Sequence, residues 1–308
     1  VRSPVRTYPV KIKVGRRNIE IPNPDKVLFP DAGITKGDLV DYYRRVAGTM
    51  LPHIRERPLN LHRFPDGIDA QGFYQQNVSG YFPDWIARAR LPKQGGVVEH
   101  CLCNDAATLV YLAGQACITP HVWLARAGRP RHPDRMIFDL DPPGDEFELV
   151  RFAARTVRAV LRDIGIAGFV MTTGSRGLHV VVPLNAGENF DTVRGFARRV
   201  ASVAAARAPQ QLTTEQRKDK RRGRLYLDIM RNAYGQTAVA PYAVRAKPGA
   251  PVATPLEWDE LDDARLRSNS HRIDNVFDRL ARRQDPWRRI GRHAVAIGVH
   301  EAALLRLT

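Results

Sequence analysis

Apolar and polar positions alternate over Val10-Lys-Ile-Lys-Val14, the mark of an edge strand. A turn-rich stretch, Asn23-Pro-Asp-Lys-Val-Leu-Phe-Pro30, comes next, and then the spacing changes. Thr35-Lys-Gly-Asp38 is an N-cap signal, and Leu39, Val40, Tyr42, Tyr43, Val46, Met50 and Leu51 recur at helical intervals until Pro52 and Pro58 close the element. Two strand-like pieces, Asn60-Leu-His-Arg-Phe64 and Gly72-Phe-Tyr-Gln-Gln-Asn77, flank the hairpin signal Pro65-Asp-Gly67. Residues 104 to 117 read as a buried apolar helix, and Thr119 to Trp123 start a strand.

The middle of the chain has the clearest pattern. Arg135-Met-Ile-Phe-Asp-Leu-Asp141 is a short apolar strand stopped by Pro142-Pro-Gly144, and an amphipathic helix from Glu146 to Ile164 follows, ended by Gly165. Strands at Phe169 to Thr173 and Leu178 to Pro183 enclose the turn Gly174-Ser-Arg-Gly177, and another helix runs from Phe190 to Ala206. A charged segment, Gln210 to Arg224, precedes strands at Leu225 to Met230 and Thr237 to Val244. Turns and helix fill 256–280, and a basic terminal helix is expected over 287–307. Strands alternating with helices, with tight turns between some strands, predict an α/β (α+β) fold: a mixed sheet covered by helices. Without a repeat or a Gly/Ser linker, the chain reads as one continuous domain over 21–290. A basic extension (1–20) precedes it, and a C-terminal helix (291–308) packs on it.

The 308 residues are 44% hydrophobic and 26% charged, a globular composition, and no apolar run approaches the ~18–20 residues of a membrane span. Val1 to Lys13 has no signal-peptide core, and three bunched cysteines, Cys101, Cys103 and Cys117, fit a reducing compartment, so a cytoplasmic protein with no membrane partner is expected. The charge of +16 (48 Lys+Arg against 32 Asp+Glu) points to a polyanion partner. Only eight of those cations are lysines, so part of the excess reflects an arginine-rich composition rather than a binding patch.

Asp139 and Asp141 stand two apart on one strand, so their carboxylates share a face, at the strand end where sheets place ligands. Two parallel carboxylates there suit a hard divalent cation bridging to phosphate; the plain alternative is that one of them caps the next helix. Asp228 interrupts Leu225-Tyr-Leu-Asp-Ile-Met230, a run otherwise apolar on both faces, and a third strand-borne carboxylate is what a two-metal phosphoryl or nucleotidyl transfer site needs. Between them, Thr172-Thr-Gly-Ser-Arg-Gly-Leu-His179 offers two glycines, the Ser175 hydroxyl, the Arg176 guanidinium and His179. This is either a triphosphate cradle or a tight hairpin turn with a structural histidine. The run Arg217 to Arg224 is a solvated loop or, because it leads into Asp228, a phosphate contact; Arg245 and His121 are further candidates. The Cys-x-Cys pair lacks a second pair for zinc, with Cys117 expected in the apolar helix, so buried thiols are the better reading.

Together, Phe138-Asp-Leu-Asp-Pro142, Ser175-Arg-Gly-Leu-His179 and Leu227-Asp-Ile229 resemble the three motifs of the archaeo-eukaryotic primase superfamily. Asn23 to Pro30, Thr35-Lys36, Asp41-Tyr-Tyr43, Arg57-Pro58 and Ala240-Pro-Tyr242 sharpen the resemblance, over about residues 20–285, to the polymerase domain of the bacterial non-homologous end-joining ligase, the LigD type. That resemblance implies a primase-like catalytic fold and a primase-polymerase that extends DNA or RNA 3′ ends at gaps or breaks, favouring ribonucleotides. Two Mn²⁺ or Mg²⁺ ions would be held by Asp139, Asp141 and Asp228. Ser175, Arg176, Gly177, His179, His121 and Arg245 would handle the NTP or dNTP, with Phe73 and Tyr74 stacking on bases. Asn23, Lys26 and Lys36 match the family's 5′-phosphate pocket, and Arg63, Phe64, Lys220, Arg221 and Arg222 would touch DNA elsewhere. An ATP-dependent DNA ligase and Ku are implied partners, in the bacterial nucleoid. Arg176 stands where lysine is common, and His62-Arg63 replaces a more basic pair. No Lys-x-Asp-Gly ligase motif occurs. Two rival classes remain: a haloacid-dehalogenase-type phosphatase, which would want Thr or Val where Pro143 stands, and a non-catalytic DNA-end-binding module, which would leave the aspartates unexplained.

Overall fold

The computed structural model describes residues 8–93 and 95–307; the first seven residues of the expected basic extension, and Thr308, lie outside the described residues. The chain divides into two compact units. One is the chain through Trp123 with Val239–Ala253 and His271–Arg282, and the other is Leu124–Ala238 with Thr254–Ser270 and Arg283–Thr308.

In the first unit, β1 (Val10–Val14) pairs antiparallel with β2 (Arg17–Ile21), showing the alternation its sequence carries. Short strands β3 (Val27–Phe29) and β4 (Ile34–Thr35) lead into α1 (Lys36–Ile54). Thr35 and Asp38 form a capping box: the Thr35 hydroxyl accepts from the Asp38 N–H at 3.2 Å and the Asp38 carboxylate from the Thr35 N–H at 2.8 Å. The helix continues past Pro52, which was expected to end it. A proline this late removes one helical donor, and Arg55 N–H still closes the last turn on Leu51 O at 3.0 Å.

Beyond α1 lie β5 (Leu59–Arg63), β6 (Phe73–Gln75), β7 (Arg88–Lys93), β8 (Gly96–Cys101), α2 (Ala106–Gly114) and β9 (Cys117–Trp123). β5 pairs antiparallel with β6 on one side and β9 on the other. Cys117 therefore opens β9 rather than lying in the apolar helix; the left-handed backbone at Ala116 (φ 55°) makes the break. All three thiols are buried and free.

After Trp123 the chain forms β10 (Arg135–Asp141), α3 (Phe147–Asp163), β11 (Phe169–Thr172), β12 (Leu178–Pro183), α4 (Phe190–Arg207), β13 (Leu212–Thr213), β14 (Leu225–Asp228), β15 (Thr237–Val239) and β16 (Pro255–Leu256). Of these, β15 leads back into the first unit and joins its sheet, whose order is β15-β9-β5-β6. The second unit is built on a six-stranded sheet of order β13-β14-β10-β12-β11-β16; β13 runs parallel to β14 and the other pairs are antiparallel, so the sheet is mixed. Met136, Phe138 and Leu140 point from one face of β10 into a core with Val150, Val157, Val193 and Phe196 of α3 and α4, which leaves Asp139 and Asp141 on the opposite face. Gly165 ends α3 as expected. Its left-handed φ of 77° lets Gly165 N–H reach Arg162 O at 2.9 Å and Ile166 N–H reach Leu161 O at 2.8 Å, a Schellman stop.

Two expected elements are shorter than their patterns. The strand predicted through Val244 stops at Val239, because the next residues are fixed as a turn in the first unit. Tyr42 Oη donates to Tyr242 O at 2.8 Å, Tyr43 Oη accepts from Val244 N–H at 3.0 Å, and Thr119 Oγ1 donates to Val244 O at 2.6 Å. The terminal helix expected over 287–307 is two 3-10 turns, Ile290–His293 and Ile297–His300, and a helix of five residues, Glu301–Leu305. Between the turns Val295 is extended along the end of β12, exchanging hydrogen bonds of 3.1 Å with Pro183 O and Asn185 N–H, so a continuous helix would cost that pairing.

Candidate active site

The register of the second sheet sets out one row of polar residues. Asp139 of β10 lies directly opposite Asp228 of β14 and directly opposite His179 of β12, and Asp141 lies opposite Tyr226. Directly paired residues point the same way, so three strands place Asp228, Asp139 and His179 side by side, with Asp141 one step further along the same face. β14 is not apolar on both faces, as its composition suggested: Leu225 and Leu227 enter the core, while Tyr226 and Asp228 share the polar face half-exposed. The strand stops at Asp228, whose carboxylate accepts from Met230 N–H at 2.7 Å.

That stop has a consequence for the site. The fully buried Asn232 carries the ladder on with its side chain, accepting from Ile137 N–H at 2.8 Å and donating to Ile137 O at 2.7 Å and Ile229 O at 2.9 Å. The turn so fixed aims Arg231 at Asp139, Nε to Oδ2 at 3.0 Å, while His179 Nε2 lies 3.4 Å from Oδ1. Asp139 is only 7% exposed. Burial alone would raise its carboxyl, but His179 and Arg231 outweigh burial and hold it well below the usual carboxylate range. Asp141 and Asp228 move the other way, each raised first by burial and further by the charge of Asp139. Arg231 is held more basic than usual by the three carboxylates, against the opposing effect of its own burial.

Asp139, Asp141, Asp228 and Arg231 line a pocket of about 410 Å³ with Pro142, Pro143, Arg176, Lys218, Arg221, Gly223, Arg224 and Tyr226. One wall is acidic and the rest is strongly basic. Arg221 is stacked over the Tyr226 ring at 4.3 Å and tied to Glu215 O and Gln216 O. Lys220 and Arg222 do not line this pocket. His179, placed among the nucleotide contacts by sequence, is 3% exposed and backs Asp139 instead. Gly177 lies against the acidic strand so closely that a Cβ there would meet Leu140 O at 2.2 Å and Asp141 Oδ1 at 2.5 Å. Arg231 was missed by sequence reading. It sits three residues after Asp228 in a chain rich in arginine, and only the turn that Asn232 fixes distinguishes it.

The remaining candidates belong to the first unit. Phe73 and Tyr74 are 45% and 57% exposed, and Tyr74 lies flat on His62, centroids 4.0 Å apart and planes 9° from parallel. Burial, and then the charge of Arg245, push the His62 imidazole down to about 4. His121 stands edge-on to Tyr74 at 5.7 Å. Arg63 and Phe64, expected to touch DNA, are both buried: Arg63 bonds to Gln115 O at 2.9 Å, Gln75 at 2.7 Å and Tyr81 Oη at 2.6 Å, and the Phe64 ring packs where a Cβ on Gly72 would be. They support the aromatic surface from below. Asn23, Lys26 and Lys36 are brought together at the start of α1: Lys26 N–H donates to Asn23 O at 3.1 Å, Lys36 N–H to Lys26 O at 2.8 Å, and Lys36 Nζ to Pro22 O at 2.8 Å. Burial, then Lys26 and Arg63, lower the Lys36 ammonium, and Lys26 Nζ pairs with Asp66 at 2.6 Å.

Residues 35–287 match the family described as the LigD primase-polymerase domain. The chain belongs to that family. As a LigD-type primase-polymerase domain it is a nucleotidyltransferase. It is similar to the multifunctional non-homologous end joining DNA repair protein LigD of Mycobacterium tuberculosis, 35% identical over 284 residues that make 89% of this chain and 37% of that protein. It is also similar to the bifunctional non-homologous end joining protein LigD of Bacillus subtilis, 30% identical over 265 residues, 85% of this chain and 42% of that one. The chain thus spans about two fifths of the length of these relatives. Among solved structures, the polymerase domain of M. tuberculosis ligase D in complex with DNA superposes with a TM-score of 0.84 at 35% identity, covering 89% of this chain and 98% of that one. The mixed sheet with its covering helices is therefore the LigD polymerase-domain fold, and a phosphatase assignment falls.

Three carboxylates on one wall of a basic pocket are hard oxygen donors, which fits a Mg²⁺ or Mn²⁺ ion in chemistry. Among the described residues, however, no three His, Cys, Asp or Glu side chains converge into a ready ligand set. Both oxygens of Asp139 are engaged by His179 and Arg231, and Asp228 is engaged by Met230 N–H. Among the described residues no helix is long and apolar enough to cross a membrane.

Proposed function

We propose that this LigD-type domain extends the 3′ end of a DNA or RNA strand at short gaps or breaks during end joining, with Asp139, Asp141 and Asp228 holding two divalent ions. The observation that carries this reading is the row in which Asp228 is paired directly with Asp139, next to Asp141, on the wall of a pocket whose other charged lining residues are all arginine or lysine. The ions, when bound, supply Lewis-acid activation of the 3′ hydroxyl and charge neutralisation on the leaving phosphate. The chain's own residues do the rest. Arg176, Lys218, Arg221 and Arg224 bind and orient the triphosphate, Arg231 keeps Asp139 ionised, and no protein base is needed at the hydroxyl. Phe73 and Tyr74 supply a sequence-tolerant stacking surface. The DNA in the matching M. tuberculosis structure supports DNA as the partner.

Asn23, Lys26 and Lys36, gathered at the positive end of a 19-residue helix, support recognition of the 5′-phosphate across the gap. A preference for ribonucleotides, Mn²⁺ over Mg²⁺, and work alongside an ATP-dependent ligase and Ku complete the proposal. Extension on a gapped duplex with and without a 5′-phosphate, with NTP and dNTP, tests it. The phosphate should accelerate extension in the parent and not in Lys26→Ala, and NTP should be used ahead of dNTP. Equal rates on both gaps would remove the pocket from the account.

A further inference from the structure

The turn Gly174-Ser-Arg-Gly177 carries Arg176 into the pocket; it joins the paired positions Thr172 and Leu178 of β11 and β12 and is closed by Thr173 N–H donating to Gly177 O at 3.0 Å. A further hold on it comes from more than 90 residues away in sequence. Ser268 lies in a turn closed by Ser270 N–H to Arg267 O at 3.2 Å, is 2% exposed, and donates from Oγ to Gly177 O at 2.7 Å. Its oxygen is 3.2 Å from the Thr173 hydroxyl, which is also buried and accepts from Gly177 N–H at 3.2 Å and Ser175 N–H at 3.4 Å.

The Thr173 hydroxyl also lies 3.1 Å from Gly177 O, on which Thr173 N–H and Ser268 Oγ converge as well. Gly177 N–H to Thr173 Oγ1, the Thr173–Ser268 hydroxyl contact and Ser268 Oγ–H to Gly177 O form a ring of hydrogen bonds in a site shielded from water. Because the Gly177 backbone touches Leu140 O and Asp141, a ring that sets Gly177 also sets the separation of the Arg176 turn from the acidic strand.

We infer that Ser268, acting with Thr173, is a positioning residue for the incoming nucleotide. It holds the turn so that the Arg176 guanidinium and Ser175 meet the triphosphate at a fixed distance from Asp141. The inference rests on the reading of this turn as the triphosphate site. Losing a buried hydroxyl from the ring weakens alignment of a charged contact rather than removing it, so the nucleotide KM should rise about fivefold, the scale of one net hydrogen bond. The kcat should fall less than about twofold, since no group on the reacting atoms is lost.

The test is steady-state extension by the full chain on a 5′-phosphorylated gap, with NTP varied, for Ser268→Ala, Ser268→Thr, Thr173→Val and Arg176→Ala. KM raised with kcat kept in Ser268→Ala and Thr173→Val, and a parental KM in Ser268→Thr, are the expected results. Equilibrium binding of NTP should weaken by the same factor. An unchanged KM in both hydroxyl variants, while Arg176→Ala raises it, overturns the inference alone. An unchanged KM in Arg176→Ala overturns the reading beneath it. If Ser268→Ala does not fold, Thr173→Val, which removes the other member of the ring, decides by the same KM criterion.

Discussion

Gly177→Ala is the smallest change that tests how the Arg176 turn is held to the acidic strand. Gly177 is not in the left-handed region, so its requirement is for space. An added Cβ would sit 2.2 Å from Leu140 O, 2.9 Å from Leu140 C and 2.5 Å from Asp141 Oδ1. Two of the three atoms are backbone in the central strand of the sheet, which cannot swing aside as a side chain would. Restoring an ordinary contact of 3.4 Å from 2.2 Å means parting the turn and the strand end by about 1.2 Å. Overpacking of this kind costs about 1–3 kcal/mol, and a displacement near 1 Å at reacting groups costs on the order of 100-fold in rate. Urea denaturation should therefore show a loss of about 1–3 kcal/mol, and single-nucleotide extension under saturating NTP should fall by about 100-fold. Extension within twofold of the parent, with unchanged stability, would refute the claim that turn and carboxylate are set by one contact.

Removing Arg231 leaves the buried Asp139 carboxylate with His179 Nε2, 3.4 Å from Oδ1, as the remaining side chain against its oxygens. Breaking such a pair costs about 3–5 kcal/mol when fully buried, but the Arg231 side chain is 44% exposed, so Arg231→Ala should lose about 1–2 kcal/mol in EDTA. Adding Mn²⁺ should recover more stability in this variant than in the parent, because an added cation meets carboxylates no longer neutralised; equal recovery would count against the shared role. His62 titrates about 4, below the ordinary 6.5, so its contribution to stability is fully present above 6.5 and is lost as pH falls through about 4. An NMR titration of its ring with a midpoint above 6 would contradict the stacked, desolvated position, and His62→Gln should lessen the acid loss over that window.

Local chemistry made much of this molecule readable in its sequence. The Thr35/Asp38 capping box, the amphipathic α3 with Gly165 behind it, and the Asp-x-Asp strand each depend on residues within a few positions of one another. The carboxylates and the Arg176 turn could be singled out because polar residues in apolar strands are costly and stand out. What could not be read depends on distant segments. From Ala240 onward the chain leaves the expected strand geometry because tyrosines of α1 hold residues 242 and 244, and the terminal helix breaks where Val295 pairs with the end of β12. Arg231 and Ser268 carry no signal of their own: one is an arginine among many, the other a serine in a polar turn, and each acquires its position from a partner far along the chain. Phe64 and Arg63 are expected at DNA from the family resemblance, and only packing shows that both side chains are buried.

The central claim is that the carboxylate row performs nucleotidyl transfer and does not merely bind DNA. The measurement that tests it most directly is primer extension and DNA binding, side by side, in Asp139→Ala at matched salt. Extension should vanish with Mn²⁺ or Mg²⁺ present, while affinity for the 5′-phosphorylated gap stays within a few-fold of the parent. Extension retained in a folded Asp139→Ala protein would contradict the account.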